Sequence, residues 1–336
     1  MKQAFLSLIE HGYRLDLDER DWFQSIADHA AVVAPASDGA MTYSFDASSP
    51  KDGVLVGHWA AASLPQSFVE STLMLNQNTT PEDAARFYHR GIVCDTVSEV
   101  LRKNGTSIDQ NDTYRRAVAG EGFPDSFGLT ASNPSHTGLV VNAPIDSVRK
   151  LGPGLKRAWQ QTGVHLHAAY RLREALRRRA VKPEAVVEPG RGLVHGENGA
   201  GNESARQVLE SAARAADAAR ARGGPEQASE ALELWRGLID GRWTMIETFE
   251  SDGRRLFVAY PNDPEFENPR ALTPRERLVA HYAAQGDANK WIAYQLGITP
   301  ATVARHLAVA LGKLGLSHRH DLIWLSAALR SAEPSS

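Results

Sequence analysis

The segment at residues 289–307, NKWIAYQLGITPATVARHL, constrains this chain more than any other stretch of its sequence. It predicts two short helices around a tight turn, because Gly297 tolerates a positive backbone φ. Thr299 can cap the second helix, and Pro300 suits its first position. A helix pair joined this closely is either an ordinary core element or a helix-turn-helix, whose second helix enters the major groove of DNA.

The second of these helices has an apolar face and an opposite face of short side chains. Apolar residues recur along it at positions i, i+4, i+8 and i+11, namely Val303, Leu307, Leu311 and Leu314. On the other side, Arg305 can donate two parallel hydrogen bonds to guanine O6 and N7. The predicted interface also includes Thr299. We expect phosphate contacts from the other polar and basic side chains nearby, which are Lys290, Thr302, His306, Lys313 and Arg319.

Charge is distributed unevenly along the chain. Residues 271–330 contain seven basic and three acidic residues, a net charge of +4. Because the whole chain of 336 residues carries −3, the rest of it carries −7. A basic C-terminal segment attached to an acidic remainder of the chain is the pattern expected of a protein that binds nucleic acid through its C-terminal domain alone.

The same segment contains a series of short motifs at fixed spacing. They are LTPRE (272–276), NKWIA (289–293), LGIT (296–299), TVARH (302–306), KLGL (313–316) and SHRHDL (317–322). The first of them predicts the start of a helix, with Thr273 as N-cap, Pro274 at the first helical position and Glu276 completing a capping box. With these motifs, residues 271–331 resemble the helix-turn-helix domain of the LuxR/GerE family. The resemblance implies a four-helix domain that binds double-stranded DNA as a dimer and regulates transcription. By position, the resemblance implies that Ala304, Arg305 and Ala308 face the DNA bases. Because alanine has no hydrogen-bonding side chain, base recognition is then expected to depend on Arg305 or on apolar contacts between the alanines and thymine methyl groups.

The last helical stretch, HRHDLIWLSAALR, supports such a dimer. Leu322 suits the core of the domain, whereas Ile323, Trp324 and Ala327 form an apolar strip on the other side. Small domains rarely expose such a strip unless a partner covers it. We therefore predict that a homodimer forms through these three residues.

Residues 1–180 have the pattern of a separate folded module. Two amphipathic helical stretches come first, and strand-like segments follow at residues 39–45 and 53–60. The span 79–104 is predicted to be helical, and a Gly-, Asn- and Ser-rich loop then leads to another strand, GLVVNAPID. A long helix at about residues 153–179 closes the module. This order resembles a GAF-like sensory domain in layout.

Aromatic side chains in this first module either line a ligand pocket or form its core. The candidates for a pocket are Trp22, Tyr43, Trp59 and Tyr88. Cys94 is the single cysteine of the chain, so no disulfide forms within it, and we expect it to be a small buried hydrophobe. No motif identifies an effector, and a small molecule, a protein partner and no ligand at all are each consistent with the sequence.

Residues 182–261 predict a second, smaller module. A hairpin around PGRG precedes two helical stretches, and another strand pair around SDG follows them. This order resembles a reduced PAS-like domain, with four strands where the family has five. The polar, Pro-punctuated stretch at residues 262–270 predicts a linker. The chain is thus predicted to be an α+β multidomain protein that ends in an all-α helix-turn-helix domain.

Several other classes of protein are disfavoured. No apolar run approaches the ~20 residues that span a bilayer, and a single cysteine fits a reducing compartment. We therefore expect a cytoplasmic protein that associates with the nucleoid when it is bound to DNA. No GxSxG, HExxH or credible carboxylate pair indicates an enzyme, and no metal or cofactor is expected, since His165 and His167 point to different sides of one helix. Two alternatives stay open: a sigma-factor-like protein, which shares the LTxRE motif, and a protein-interaction regulator with little sequence-specific DNA binding.

Overall fold

A computed structural model describes residues 1–35, 39–49, 53–89, 92–119, 123–132, 136–177, 181–201, 203–220, 232, 243–249, 254–261, 272–314, 319 and 322. The chain divides into two compact units, residues 1–170 and 171–336. The sequence predicts the first boundary at residues 180–182. The predicted linker at residues 262–270 lies outside the described residues.

Unit 1 is built from helices and one antiparallel sheet. Its helices are α1 (Lys2–Gly12), α2 (Glu19–Val33), α3 (Gln66–Gln77), α4 (Pro81–Phe87), α5 (Val97–Lys103), α6 (Asp112–Ala119) and α7 (Pro153–Arg177), the last of which ends in unit 2. Its strands are β1 (Ala40–Asp46), β2 (Leu55–Ala62), β3 (Ile92–Thr96), β4 (Asp125–Ser132) and β5 (Thr137–Ile145). The five strands are hydrogen-bonded in the order β2-β1-β5-β4-β3.

Most of the elements predicted for this unit are confirmed, namely the first two helices, β1, β2, β5 and the long helix α7. The prediction of one helical span at residues 79–104 is wrong in its middle, because β3 separates α4 from α5. Cys94 there pairs with Leu129 of β4. Sheet pairing outweighs the local helical pattern at this point, since the β-branched run Ile92-Val93 fits a pleated surface. Strand β4 itself falls within the predicted loop.

The sheet of unit 1 carries helices on both faces. On one face, the ring of Phe127 in β4 lies 4.8 Å from that of Trp159 in α7. On the other face, Tyr43 of β1 shares a buried apolar cluster with Tyr88 and Tyr114. Because successive strand residues point to opposite faces, the buried strands β1, β4 and β5 contribute to both halves of the core, whereas β2 at the edge is largely exposed.

Buried polar groups in unit 1 are neutral or hydrogen-bonded. The Trp22 indole donates to the Gly12 carbonyl at 2.8 Å. Tyr13 Oη lies 3.2 Å from His165 Nδ1, and burial lowers the pKa of this histidine to about 3, so it is uncharged. Burial also raises the pKa of the Cys94 thiol, which is buried as expected. Among the described residues, no group of three or more His, Cys, Asp or Glu side chains is arranged to hold a metal ion.

Unit 2 begins with a second antiparallel sheet. Its strands are β6 (Ala185–Glu188), β7 (Gly192–Gly196), β8 (Trp243–Phe249) and β9 (Arg255–Pro261), in the order β7-β6-β9-β8. Helix α8 (Glu203–Arg220) follows β7, after a short 3-10 turn. These elements confirm the two predicted strand pairs and the first predicted helix. The second predicted helix, residues 225–241, lies outside the described residues except for Leu232, which is buried.

The C-terminal part of unit 2 is helical. It contains α9 (Pro274–Ala284), α10 (Asn289–Leu296) and α11 (Pro300–Leu314). All three are predicted by the sequence. No helix among the described residues combines the length and apolar character needed to cross a membrane.

Candidate nucleic-acid interface

Helix α9 starts with the predicted capping box. The Glu276 backbone N–H donates to Thr273 Oγ1 at 3.3 Å, and the Thr273 N–H donates to Glu276 Oε2 at 2.8 Å. Pro274 occupies the first turn, where its missing N–H leaves no hydrogen bond unmade. These local contacts fix the point at which the helical domain begins.

Replacing Thr273 with alanine is expected to destabilise α9 by about 1 kcal/mol, because one backbone donor of the first turn loses its acceptor. Hydrogen exchange of the α9 amides in the full chain measures this as faster exchange. Thr273→Ser keeps the hydroxyl and serves as the control. Equal exchange rates in the alanine and serine variants would show that the cap does not stabilise the helix.

Helices α9, α10 and α11 enclose one apolar core. Val303 and Leu307 of α11 are buried in it, and Leu311 packs against it. These residues confirm three positions of the predicted stripe, and the side chain of Leu314 lies outside the described residues. The core also contains Leu272, Leu278, Val279, Ala280, Tyr282, Ala283, Ala284, Ile292, Ala293, Leu296, Ala310 and Leu322. The inner face of α11 is therefore fixed, and its other face is free to present side chains.

The turn between α10 and α11 sets the position of that outer face. Gly297 has φ 64° and ψ 26°, a left-handed conformation that glycine adopts without strain. Arg275 Nη2 donates to the Leu296 carbonyl at 2.6 Å and so ties α9 to the turn. The Thr302 N–H donates to Thr299 Oγ1 at 3.1 Å, which caps α11. The role of Arg275 was not predicted, since no local pattern marks a side chain that reaches twenty-one residues along the chain.

The outer face of α11 consists of short side chains around one arginine. Arg305 is exposed, and so are Ala304 and Ala308 on either side of it. Thr302 and His306 are half-buried at the edge of this surface. We call these five residues the reading face. A face this narrow can approach base edges in a groove about 12 Å wide, and Arg305 supplies its donors.

The flanking cations have different surroundings. Lys290 is exposed, and its Nζ lies 5.0 Å from the centre of the Trp291 ring. Arg319 instead donates through Nη1 to Asn289 Oδ1 at 2.6 Å and through Nη2 to the Asp287 carbonyl. These two bonds tie the half-buried Arg319 to the start of α10, a contact that the sequence did not predict. The side chain of Lys313 lies outside the described residues.

Asp287 is a buried acid directly before α10. It is fully buried, and its Oδ2 accepts a hydrogen bond from Gln295 Nε2 at 2.9 Å. Burial raises the pKa of Asp287 to about 6, although the nearby charges of Arg171 and Arg319 and the bond from Gln295 act in the opposite direction. Sequence reasoning did not identify this residue, because an aspartate after a glycine stop is an ordinary loop residue.

Comparison with known proteins agrees with this geometry. Residues 270–326 match the family described as bacterial regulatory proteins, luxR family. These residues form a luxR-family helix-turn-helix domain. The match spans the motifs on which the predicted resemblance rests, and that prediction is confirmed.

Relatives of the luxR-family domain include transcriptional regulatory protein UhpA from two bacteria. The protein of Salmonella typhimurium is 53% identical over 51 residues, which cover 15% of this chain and 26% of UhpA. UhpA of Escherichia coli is 51% identical over 51 residues, with the same coverage. The chain therefore spans about a quarter of the length of these relatives. A solved structure of Escherichia coli SdiA covers 97% of this chain and 96% of its own at 10% identity, but its TM-score of 0.35 is too low to indicate a shared fold.

Two aromatic residues of α10, on the side that the sequence predicts to face outward, are buried. Trp291 and Tyr294 are each 6% exposed. The Tyr294 hydroxyl donates to the carbonyl of Leu232, which belongs to the predicted second helix of the smaller module. The predicted dimerisation residues Ile323, Trp324 and Ala327 lie outside the described residues.

Unit 1 contains a cavity of about 90 Å³ between its sheet and the helices α3 to α6. Tyr43 and Tyr88 line it, as the sequence predicted for a pocket. Trp22 is fully buried elsewhere, beside Phe23 and Tyr170, and Trp59 is 44% exposed on β2. The structure thus brings together two of the four predicted pocket residues.

Proposed function

We propose that this chain is a transcriptional regulator that binds double-stranded DNA and reads it in the major groove with α11. One observation carries this proposal: at the centre of the reading face, Arg305 is exposed between exposed Ala304 and Ala308, while the inner face of the same helix is buried. Side chains on such a helix can reach base edges, and Arg305 has the donor geometry for guanine. We assign no catalytic activity to the chain.

The regulator acts as a homodimer in the cytoplasm and on the nucleoid. The apolar strip of Ile323, Trp324 and Ala327 supplies the dimer contact, because it leaves apolar surface that a partner copy would cover. Two copies related by a two-fold axis would place two α11 helices on half-sites about one helical turn of DNA apart.

Two modules supply sensory control, a GAF-like one in unit 1 and a small PAS-like one at the start of unit 2. The cavity in unit 1 and the antiparallel sheets support these assignments. Within unit 2, Arg171 near the end of α7 donates to Gln285 Oε1 and lies 5.5 Å from the centre of the Tyr282 ring. Gln285 and Tyr282 belong to α9 and its cap, so Arg171 contacts the luxR-family domain within unit 2.

The proposal is tested by selecting duplexes from a random pool with the purified full chain. We expect enrichment of a two-fold symmetric sequence, with affinity that falls as salt rises. Titration of the selected duplex and of a scrambled one by fluorescence anisotropy measures the difference. Equal, salt-independent binding of both duplexes would refute the proposal, and promoter-specific initiation by the chain with core RNA polymerase alone would favour a sigma factor instead.

Replacing Lys290 with alanine is expected to weaken binding to the selected and the scrambled duplex alike. Lys290 is exposed beside the reading face and contributes a phosphate contact, which carries no sequence information. The slope of log K against log salt should fall by about one. Lys182→Ala, a lysine removed at a position outside the luxR-family domain, is the control and should leave both values unchanged. A loss confined to the selected duplex would assign Lys290 to base readout.

A further inference from the structure

Val309 is an apolar side chain that α11 leaves exposed. It is 43% exposed, and within the described part of the luxR-family domain it is the one exposed large hydrophobic residue. The other large apolar residues of this helix whose side chains are described behave differently, since Val303 and Leu307 are buried in the core and Leu311 packs against it. The core of the domain therefore does not explain why an apolar residue stands at position 309.

Helix stability does not explain Val309 either. A β-branched side chain loses rotamer freedom in a helix, so valine has a lower helix propensity than alanine. Alanine occupies the positions on both sides of it, Ala308 and Ala310, and would suit an exposed helical position better. A residue that is locally unfavourable and that the core does not require indicates a contact with another molecule.

The position of Val309 on α11 shows where such a contact would form, because single exposed apolar residues are otherwise common on protein surfaces. At about 100° per residue, exposed Arg305 lies about 160° around the helix from buried Val303. Val309 lies about 40° from Arg305 in one direction, and Ala308 lies about 60° from it in the other. Val309 therefore lies within the arc of the helix that the reading face covers, one turn beyond Arg305.

The chemistry of a valine side chain restricts what it can contact in the major groove. Base edges there present hydrogen-bonding atoms and one apolar group, which is the C5 methyl of thymine. Valine has no donor or acceptor, so against the polar atoms it would displace water without replacing the lost hydrogen bonds. Among the four bases, thymine is thus the one whose edge Val309 can contact favourably.

The spacing along α11 relates this thymine to the base that Arg305 contacts. Arg305 has the donor geometry for guanine, and Val309 follows it by four residues, which is about 6 Å along the helix axis. Successive base pairs of DNA are about 3.4 Å apart. A helix lying along the groove would therefore place the two side chains about two base pairs apart.

We propose that Val309 is a specificity-determining residue that contacts the C5 methyl group of a thymine about two base pairs from the guanine contacted by Arg305. Arg305 supplies polar recognition and Val309 supplies apolar recognition on the same side of α11. This inference rests on the proposed function and names one chemical feature of the DNA that the chain recognises.

Replacement of thymine by uracil in the selected duplex tests the proposal, because it removes the methyl group and keeps every hydrogen-bonding atom of the base pair. Each thymine of the half-site is replaced in turn, in both half-sites together, and the affinity of the full chain is measured by fluorescence anisotropy. At one position we expect binding to weaken by about fourfold for each half-site, the loss for one apolar carbon that is no longer buried. Unchanged affinity at every position would overturn the proposal, and so would a selected half-site that contains no thymine.

Val309→Ala completes a double-mutant cycle with the sensitive position. On the thymine duplex, the variant should bind about fourfold more weakly for each half-site, whereas on the uracil duplex it should bind as the wild-type chain does. Its midpoint of thermal unfolding should stay the same or rise, because alanine favours a helix. Equal weakening on both duplexes would show that Val309 does not contact the methyl group.

Two further variants serve as controls. Val208→Ala removes an exposed valine from helix α8, outside the luxR-family domain, and should leave the affinity for both duplexes unchanged. Arg305→Ala should weaken binding to both duplexes but keep the ratio between them, since it removes a contact to a different base pair. Loss of this ratio in Arg305→Ala would contradict separate contacts by the two residues.

The same measurements separate this inference from the proposed function. A chain that prefers its selected duplex over the scrambled one, yet tolerates every uracil, refutes the methyl contact alone. A chain that binds the selected and scrambled duplexes equally and independently of salt refutes the regulator proposal, and the methyl contact with it.

Discussion

Replacing Arg305 with alanine is expected to weaken binding to the selected duplex by about 1–3 kcal/mol, a loss of about five- to 150-fold in Kd. The side chain is exposed at the centre of the reading face, and its neighbours Ala304 and Ala308 have no hydrogen-bond donors to replace it. Sequencing of duplexes selected by the variant should show that preference is lost at one base pair of each half-site. Binding to the scrambled duplex should fall much less.

Arg305→Lys is the matched control for this prediction. Lysine keeps the positive charge but lacks the planar fork that meets guanine O6 and N7 together. If Arg305 reads a base, the lysine variant should lose specificity while it keeps most of its affinity for scrambled DNA. If both variants lose affinity for every duplex equally, Arg305 contacts phosphate and base readout belongs to other residues.

Replacing Asp287 with asparagine is expected to stabilise the luxR-family domain at neutral pH by up to about 3 kcal/mol. The carboxyl has an ordinary pKa of 3.8 in the unfolded chain and a pKa of about 6 in the folded one, because it is fully buried. Each pKa unit corresponds to about 1.4 kcal/mol. Asparagine keeps an acceptor for Gln295 Nε2 and carries no charge to desolvate.

The direction of the pH dependence follows from the raised pKa of Asp287. Between about pH 4 and pH 6 the folded chain holds a proton that the unfolded chain releases, so the stabilisation from this group is greatest below pH 4 and is lost as pH rises through 6. The difference between the wild-type chain and Asp287→Asn should therefore be large at about pH 7.5 and vanish near pH 4. Hydrogen exchange of the α10 amides reports the local free energy of unfolding.

Glu197→Gln is the control for this experiment, since Glu197 is an exposed acid of the same unit. It should change the exchange of α10 little at either pH. A difference between Asp287→Asn and wild type that is the same at both pH values would show that lost contacts, and not the desolvated charge, account for the effect.

The features that the sequence predicted well are those with local causes. The capping box of Thr273 and Glu276, the turn at Gly297 and the stripe of Val303 and Leu307 each depend on residues a few positions apart. Their geometry follows from helix periodicity and from backbone conformations that glycine favours. The reading face could be predicted from the same pattern, because a helix with a fixed inner face has a fixed outer one.

The features that the sequence did not predict depend on distant partners. Strand β3 forms because Ile92 to Thr96 pair with β4, some thirty residues further along the chain. Arg319 is tied to the start of α10 because Asn289 Oδ1 and the Asp287 carbonyl accept hydrogen bonds from it. Trp22 and Trp59 have the same residue type, yet one is fully buried and the other is 44% exposed. Composition does not distinguish such cases, since burial is decided by which elements pack together.

The left-handed backbone conformation of Gly297 has a consequence for which side chains of α11 can be substituted without a change of fold. That residue, the Thr299 cap and the buried side of α11 fix the angle at which the helix is presented, and the side chains of Ala304 and Ala308 take no part in doing so. Ala304 and Ala308 are therefore open to exchange for larger side chains at little cost to folding. Under the proposed function, new preferences for DNA sequence can therefore arise by point mutations on α11 that leave the rest of the helical domain unchanged.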